Sequence, residues 1–309
     1  MDKKTERLVN VARMYYEQDR TQSEIADRYG ISRPMVSKLL KEARDRGIVT
    51  IRINAPKGES GGAPSLMELV GRCFGIYDGV AVPGGPNDQT TNEAVAEAAI
   101  SYLSELGGAS LGIGWGHIIG DVVKHMDPKA KMVPIGTFVC PLIGNGGVGL
   151  KNYHSNELVR SIAEHSGAQP RFIYSPACVL SEQELKLTRE LDSYHEIYHV
   201  WEKLDVALVN IGNFPSVPDF ASEARYGDLL IRQKAVGRIL NYFMDSQGHI
   251  IRSDTDYAIQ IPLELLTRTR HVVGICSANT SPKAFRAALK TGYLKHFIAP
   301  EHVVREALE

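Results

Sequence analysis

Basic and polar side chains cluster on one face of a helical segment near the start of the chain. Arg33, Ser37 and Lys38 face away from the apolar residues Val36 and Leu40 of the same segment. Side chains of these types read base edges in the DNA major groove, while other basic and polar groups hold the phosphates. We therefore predict a DNA-binding face. The predicted residues are Arg33, Ser37 and Lys38 for base edges, Gln22, Lys41 and Arg44 for phosphates, and Ser32 at the start of the helix.

A glycine-rich turn later in the chain has the composition of an anion site. The segment Leu111–His117 reads as a strand, a glycine turn and the start of a helix. Backbone N–H groups at such a helix start form a cradle for anions. The dinucleotide fingerprint G-x-G-x-x-G is excluded, because His117 occupies its third glycine position and no acidic ribose partner follows at the right distance. A generic glycine turn without a ligand is the alternative interpretation.

Polar residues also follow other strand-like segments. Pro141–Gly147 ends one such segment, with Tyr153–Asn156 opening the next helix, and Asn210–Asn213 ends another. Lys283 lies at the start of a helix, where its charge opposes the positive end of the helix dipole. That position becomes favourable if an anion binds beside it, and a solvated lysine is the alternative.

Three helical segments position the basic face that carries Arg33, Ser37 and Lys38. Residues 8–15 carry apolar side chains at helical spacing, and Thr21 and Glu24 have the spacing of a capping box. Gly30 allows a sharp turn before the helix that carries the basic face, and Gly47–Ile53 alternates like a short wing strand. This order predicts a helix-turn-helix unit. An ordinary three-helix bundle with a solvated basic face is the alternative.

A run rich in Gly, Pro and Ser over residues 55–64 is typical of a flexible joint. It separates a predicted all-α, winged helix-turn-helix domain over residues 1–54 from a larger domain over residues 65–309. In the larger domain apolar and helical segments alternate, which predicts an α/β fold with a mostly parallel sheet. The predicted strands are residues 79–82, 110–113, 133–140, 171–174, 206–211, 271–276 and 295–299. The predicted helices are residues 91–106, 117–125, 153–165, 234–243, 282–290 and 301–308.

Composition supports this division and excludes several classes. Residues 1–53 carry a net charge of +4 and the remainder a net charge of −5, as expected if only the first part meets a phosphate backbone. No stretch approaches the roughly 20 apolar residues of a membrane span, and no apolar leader opens the chain. The scattered cysteines fit reduced core thiols in the cytoplasm, with no disulfide frame and no metal site. They are Cys73, Cys140, Cys178 and Cys276.

The segments together resemble the SorC family of bacterial sugar-operon regulators over nearly the whole chain. In the first domain the similar residues are Tyr15-Tyr16, Thr21–Ala26, Ile31–Arg33 and Gly47–Val49. In the second they are Gly114–Gly116, Pro141–Gly147, Tyr153–Asn156, Leu204–Val209 with Gly212, and Val236-Gly237. The resemblance implies a body related to glucosamine-6-phosphate deaminase and ribose-5-phosphate isomerase that senses a sugar phosphate rather than converting one. It also implies homodimers or homotetramers on paired half-sites of double-stranded operator DNA.

The resemblance also assigns an effector site, with Lys283 on the phosphate. The residues that it implies are Gly114, Gly116, His117, Asn145, Gly146, His154, Asn156, Asn213, Arg238 and Lys283. Three positions depart from the family pattern: Ile118 replaces a hydroxyl residue, Arg238 replaces an acidic one, and Cys276–Thr280 replaces a glycine-rich segment. The effector is then expected to be unusual and more anionic, or its phosphate is expected to bind in a slightly different position, or the site is a degenerate one that binds nothing.

Three functions fit these observations. The first is a cytoplasmic transcriptional regulator of a carbohydrate-utilisation operon, gated by a phosphorylated sugar and needing no cofactor. The second is a sugar-phosphate isomerase or deaminase with an appended DNA-binding head. Such an enzyme needs a carboxylate base beside the sugar, whereas the acidic residues Asp219, Asp228, Asp254 and Asp256 lie in loop-like stretches. We therefore assign no catalytic residue. The third is a body that only oligomerises, with no effector.

Overall fold

The computed structural model describes residues 3–16, 18, 20–45, 64–126, 136–146, 151–216 and 226–309, with the backbone alone at residues 3, 4, 44 and 45. The predicted wing, most of the predicted joint, Gly147 and the side chain of Arg44 lie outside this part. The chain divides into two compact units, Met1–Gly62 and Ala63–Glu309. No helix in the described ranges is long and apolar enough to cross a membrane.

The first unit, here called the head, contains helices α1 (Lys3–Tyr16), α2 (Gln22–Tyr29) and α3 (Arg33–Asp45). Their buried faces form the head core, which includes Leu8, Val11, Ile25, Val36 and Leu40.

The turn between α2 and α3 follows the local sequence. The Thr21 hydroxyl accepts a hydrogen bond from the Glu24 N–H at 3.3 Å, and the Glu24 carboxylate accepts one from the Thr21 N–H at 2.8 Å. This is the predicted capping box. Gly30 ends α2 in the left-handed region with a φ of 60°, which is strained for residues with a side chain.

The second unit, here called the body, is built on a seven-stranded parallel sheet. Its order is β1-β9-β8-β5-β2-β3-β4, and β6 and β7 form an antiparallel hairpin on the end of β5. The strands are β1 Gly79–Val82, β2 Leu111–Ile113, β3 Phe138–Pro141, β4 Gln169–Pro170, β5 Val206–Asn213, β6 Gly237–Ile239, β7 Tyr242–Met244, β8 His271–Ile275 and β9 His296–Pro300.

Helices connect these strands, and most of them bury one apolar face against the sheet. They are α4 Leu66–Phe74, α5 Asp88–Glu105, α6 His117–His125, α7 Ser155–Ser166, α8 Glu182–Glu190, α9 Asp192–Trp201, α10 Leu229–Arg232, α11 Leu263–Arg268, α12 Pro282–Lys290 and α13 Glu301–Leu308. A short 3₁₀ turn, Lys151–Tyr153, precedes α7. The predicted combination of an all-α head with a mostly parallel α/β body is confirmed.

The helix predicted over residues 234–243 is wrong, because this segment forms the β6–β7 hairpin. Strand β5 extends past its parallel neighbours to Asn213, so residues 211–213 offer backbone groups that β6 pairs with. Leu240 lies in the hairpin turn with a φ of 52°. The apolar spacing of this segment suits a helix equally well, and pairing with a distant strand decides the outcome.

Other predicted elements need smaller corrections. Residues 171–174 are not a strand, because the edge strand β4 ends at Pro170, and α7 begins at Ser155 rather than at Tyr153. Helices α8, α9, α10 and α11 were not predicted at all. The thiols of Cys140 and Cys276 are buried, and burial raises the pKa of each, as core thiols require. Cys73 is exposed and Cys178 is partly exposed, so the core prediction is wrong for these two.

The strand order places a crevice at the centre of the sheet. After β2 the chain continues to β3 on one side, and after β5 the next strand of the main sheet is β8 on the other side. Ligands in open parallel sheets bind beyond the carboxyl ends of the strands at such a switch point. The segments that follow Ile113 and Asn210 therefore form the floor of the candidate ligand site, here called the cleft.

Candidate functional site

Helix α3 presents a polar face of the predicted composition to solvent. The side chains of Arg33, Ser37, Lys38 and Lys41 are exposed, whereas Val36 on the opposite face is fully buried. The core packing of α1 and α2 fixes this face outward. A helix of this kind after a glycine turn has the arrangement that enters the major groove in helix-turn-helix proteins.

The start of α2 lines a concave surface of the head together with the start of α3. Gln22 is half-buried and lines a concave surface together with Arg33, Arg20 and the rings of Tyr15 and Tyr16. The Arg20 guanidinium lies 3.5 Å from the Glu24 carboxylate of the capping box, and a guanidinium group of this kind can also hold a phosphate. Arg20 was missed by the sequence prediction, because it lies in the connection between α1 and α2.

Ser32 is exposed at the start of α3. Its carbonyl oxygen accepts hydrogen bonds from the N–H groups of Met35 and Val36 at 2.9 and 3.2 Å. The residue therefore anchors the first turn of the helix that carries the polar face. The side chain of Arg44, the seventh predicted residue, lies outside the described part of the chain.

In the body, the two glycines predicted to form the anion cradle donate their N–H groups to carbonyl groups of the protein itself. The N–H of Gly114 donates to the Leu208 carbonyl at 2.9 Å, and the N–H of Gly116 donates to the Asn152 carbonyl at 2.8 Å. Gly116 caps α6 with a φ of 110° and provides no side chain to cap the helix. Consequently the N–H groups of residues 117–119 have no acceptor among the described residues, and a helix start of this kind can bind an anion.

Helix α12 provides a second positive helix end at the same edge of the sheet. Helices α6 and α12 follow β2 and β8, which are the two neighbours of β5. Ser281 caps α12 by accepting from the Ala284 N–H at 3.0 Å, and Lys283 is exposed in the first turn. The Asn213 amide holds this start in place, since its Oδ1 accepts from the Ser281 N–H at 2.7 Å and its Nδ2 donates to the Asn279 carbonyl at 2.9 Å.

Three buried polar atoms around the switch point have no hydrogen-bond partner among the described residues. They are Nε1 of Trp115, Oδ1 of Asn210 and Nδ2 of Asn241. The three residues are 7%, 8% and 2% exposed. A Cβ on Gly114 would lie 3.2 Å from this Asn210 oxygen, which places Asn210 against the glycine turn. Buried groups of this kind cost about 1–3 kcal/mol each when they stay unpaired, so a partner from outside the protein is expected.

Arg238 reaches the cleft from the hairpin. It pairs with Gly212 in the register of β5 and β6 and is 6% exposed. Its Nη1 donates to the Leu240 carbonyl at 3.2 Å and to Oδ1 of Asn241 at 2.9 Å. Burial raises the pKa of the Tyr153 phenol, and the charge of Arg238 opposes part of this rise.

Aromatic rings pack together beside the glycine turn that follows β2. The ring of Tyr153 lies 5.7 Å from that of Trp115 and 5.6 Å from that of His117, both in edge-to-face geometry. A Cβ on Gly146 would lie 2.9 Å from the Trp115 ring, so Gly146 permits the close approach. His154 is half-buried at the start of α7 and makes no side-chain cap.

The two predicted asparagines mainly brace the protein. Asn156 donates from Nδ2 to the Ile173 carbonyl at 2.9 Å and accepts from the Ile173 N–H at 3.0 Å. Asn145 donates to the same carbonyl at 3.3 Å, and its Oδ1 accepts from the Asn156 N–H at 3.3 Å. These bonds tie the segment after β3 to the start of α7.

The sequence prediction missed Trp115, Asn210 and Asn241 as site residues. Asn210 carried a usable indication, because a polar side chain inside the buried strand Val206–Ile211 has to find a partner. Asn241 could not have been found, since it reaches the cleft only through the hairpin. In the described ranges, no cluster of three or more His, Cys, Asp and Glu side chains could hold a metal ion.

A helix-turn-helix head joined to an α/β body with a polar cleft at its switch point defines a DNA-binding transcriptional regulator. Residues 63–309 match the family model described as "Putative sugar-binding domain", and residues 5–46 match the model of sigma-70, region 4. The chain therefore belongs to this sugar-binding family, whose members of the SorC/DeoR type are transcriptional regulators.

Named relatives are similar to this chain over nearly its full length. The sorbitol operon regulator of Klebsiella pneumoniae is 29% identical over 93% of this chain and 92% of its own. The deoxyribonucleoside regulator of Bacillus subtilis is 27% identical over 99% of this chain and 98% of its own. The crystal structure of full-length SorC from Klebsiella pneumoniae superimposes with a TM-score of 0.70 and 26% identity, covering 98% of both chains.

Proposed function

We propose that this chain controls transcription of a carbohydrate-utilisation operon and that a phosphorylated sugar in the cleft sets its affinity for DNA. The protein acts in the cytoplasm as a homodimer or homotetramer on paired half-sites. The observation that carries the proposal is the set of unpartnered buried atoms of Trp115, Asn210 and Asn241 at the switch point of the sheet. Two of these atoms are donors and one is an acceptor, which matches sugar hydroxyl groups because each hydroxyl both donates and accepts.

The phosphate is assigned to Lys283 and the start of α12. The lysine is exposed in the first turn, and no acidic partner lies within salt-bridge distance of it among the described residues. A phosphate there gains from the ammonium charge and from the positive helix end together. Arg238 and the N–H groups at the start of α6 then face the sugar. Two relatives are named for the sorbitol operon and for deoxyribonucleosides, which supports a carbohydrate ligand.

A thermal-shift screen of the full-length chain tests the proposal. Each sugar phosphate is compared with its unphosphorylated sugar, and a ligand at a hundred times its Kd stabilises the body by about 2.7 kcal/mol. Lys283→Gln removes the preference for the phosphorylated form, whereas Lys186→Gln on the exposed helix α8 leaves it unchanged. The same ligand must also change the affinity for a DNA duplex that the chain selects from a random library.

Two other outcomes would each establish a different function. Turnover of a sugar phosphate by the purified chain would establish the isomerase or deaminase alternative. A screen in which no sugar phosphate changes either the melting temperature or the affinity for DNA would contradict the proposal and favour a body that only oligomerises. In that case Trp115, Asn210 and Asn241 would have to be satisfied by water.

A further inference from the structure

Helix α3 exposes one large apolar side chain next to Pro34, on a helix whose other exposed residues are polar. Met35 is 45% exposed, and among the described residues of the head it is the single large apolar side chain of that exposure. It is the third residue of α3, and the preceding residue Pro34 is exposed as well. The first turn of α3 therefore carries a small apolar surface.

Packing within the head does not account for Met35. The core side of α3 is occupied by Val36, Leu40 and Ala43, which are 0%, 2% and 0% exposed. At 100° per residue, Met35 lies on the flank of the outward face, on the side opposite Arg33. Residues in the first turn of a recognition helix enter the groove most deeply, so a side chain on either flank can reach a base edge.

The chemistry of the groove leaves one partner for such a side chain. Base edges in the major groove present hydrogen-bond donors and acceptors, and the apolar group among them is the 5-methyl group of thymine. Methionine suits this contact, because its unbranched and polarisable thioether adapts to an irregular surface. The charged neighbours Arg33 and Lys38 read guanine or phosphate oxygens and cannot detect a methyl group.

Resting on the proposed function, in which α3 reads paired operator half-sites, we propose that Met35 is a specificity-determining residue that packs on a thymine methyl group in each half-site. Affinity then depends on a methyl group at one defined base pair of the half-site. This contact contributes to sequence preference and leaves non-specific binding unchanged, since it involves no phosphate.

The proposal is tested by removing the thymine methyl group from the DNA and the Met35 side chain from the protein, separately and together. The full-length chain selects duplexes from a random library, and each thymine of the half-site is then replaced by deoxyuridine, which lacks only the methyl group. At the contacted position the wild-type affinity is expected to fall roughly four-fold for one buried methyl group. Met35→Ala is expected to bind the thymine and deoxyuridine duplexes equally, and Met35→Leu is expected to restore part of the difference.

Control variants separate this role from a general loss of binding. Lys41→Ala weakens binding to both duplexes by the same factor, because a phosphate contact does not depend on a base methyl group. Ile231→Ala, an exposed apolar side chain in the body, changes neither affinity. The proposal is overturned if Met35→Ala keeps the wild-type ratio of affinities at every thymine, or if Pro34→Ala removes the ratio instead.

Discussion

The candidate ligand site can be tested at Asn241 by replacing the NH2 group of its amide with an oxygen atom. Its Oδ1 accepts from Nη1 of Arg238 at 2.9 Å, while its Nδ2 has no partner among the described residues. The change Asn241→Asp keeps the shape and the acceptor but replaces the free donor with a second acceptor. The new carboxylate lies beside the Arg238 guanidinium, so we expect the stability of the ligand-free protein to stay within about 1 kcal/mol of wild type.

The effect on the ligand is larger. If Nδ2 donates to the effector, its loss leaves a buried ligand group unpaired, which costs about 2 kcal/mol or roughly 30-fold in Kd. At a hundred times the wild-type Kd, stabilisation by the ligand then falls from about 2.7 to about 0.9 kcal/mol. For a body of this size the shift in Tm falls from roughly 5–11 °C to roughly 2–4 °C.

The measurement is a thermal-shift titration of both proteins with the best sugar phosphate from the screen. Asn87→Asp is a matched control, because Asn87 caps α5 through the Thr90 N–H at 2.9 Å and aspartate caps a helix equally well. The control is expected to keep the full shift. A full ligand-induced shift in Asn241→Asp would show that Nδ2 does not contact the effector, and the assignment of the cleft would fail.

Three further predictions concern single contacts. Thr21→Ala removes the capping box of α2, and hydrogen exchange of α2 amides should quicken about five-fold, the equivalent of about 1 kcal/mol, while Ser23→Ala should change nothing. Gly116→Ala should destabilise the body by about 1–3 kcal/mol because its φ is 110°, whereas Gly84→Ala, with open space around its Cβ position, should be neutral in thermal melts. Burial lowers the pKa of His271 from its ordinary value of 6.5, and the charges of His296 and Arg270 lower it further. Stability should therefore be complete above pH 6.5 and decrease below it, and a pH series of Tm values for His271→Gln with an unchanged acid slope would refute this assignment.

The features that depend on interactions between neighbouring residues could be predicted from the sequence. The capping box of Thr21 and Glu24, the left-handed Gly30 and the outward polar face of α3 all follow from interactions within a few residues along the chain. For the same reason α6 and α12 begin and end where the sequence predicts. The helix-turn-helix head could therefore be recognised from the printed sequence.

The composition of the candidate ligand site depends on tertiary structure and could not be predicted from the sequence. Asn210 and Leu240 of the hairpin turn both lie against Gly114, because β5 lies next to β2 and extends far enough to pair with a hairpin. Strand order is a property of long-range pairing. The same pairing turned the expected helix over residues 234–243 into β6 and β7. Asn156 looked like a ligand residue in the sequence, yet its amide is bound to the backbone of Ile173. Local patterns specify which groups a chain can offer, and the packing of distant segments determines which of those groups stay unpaired.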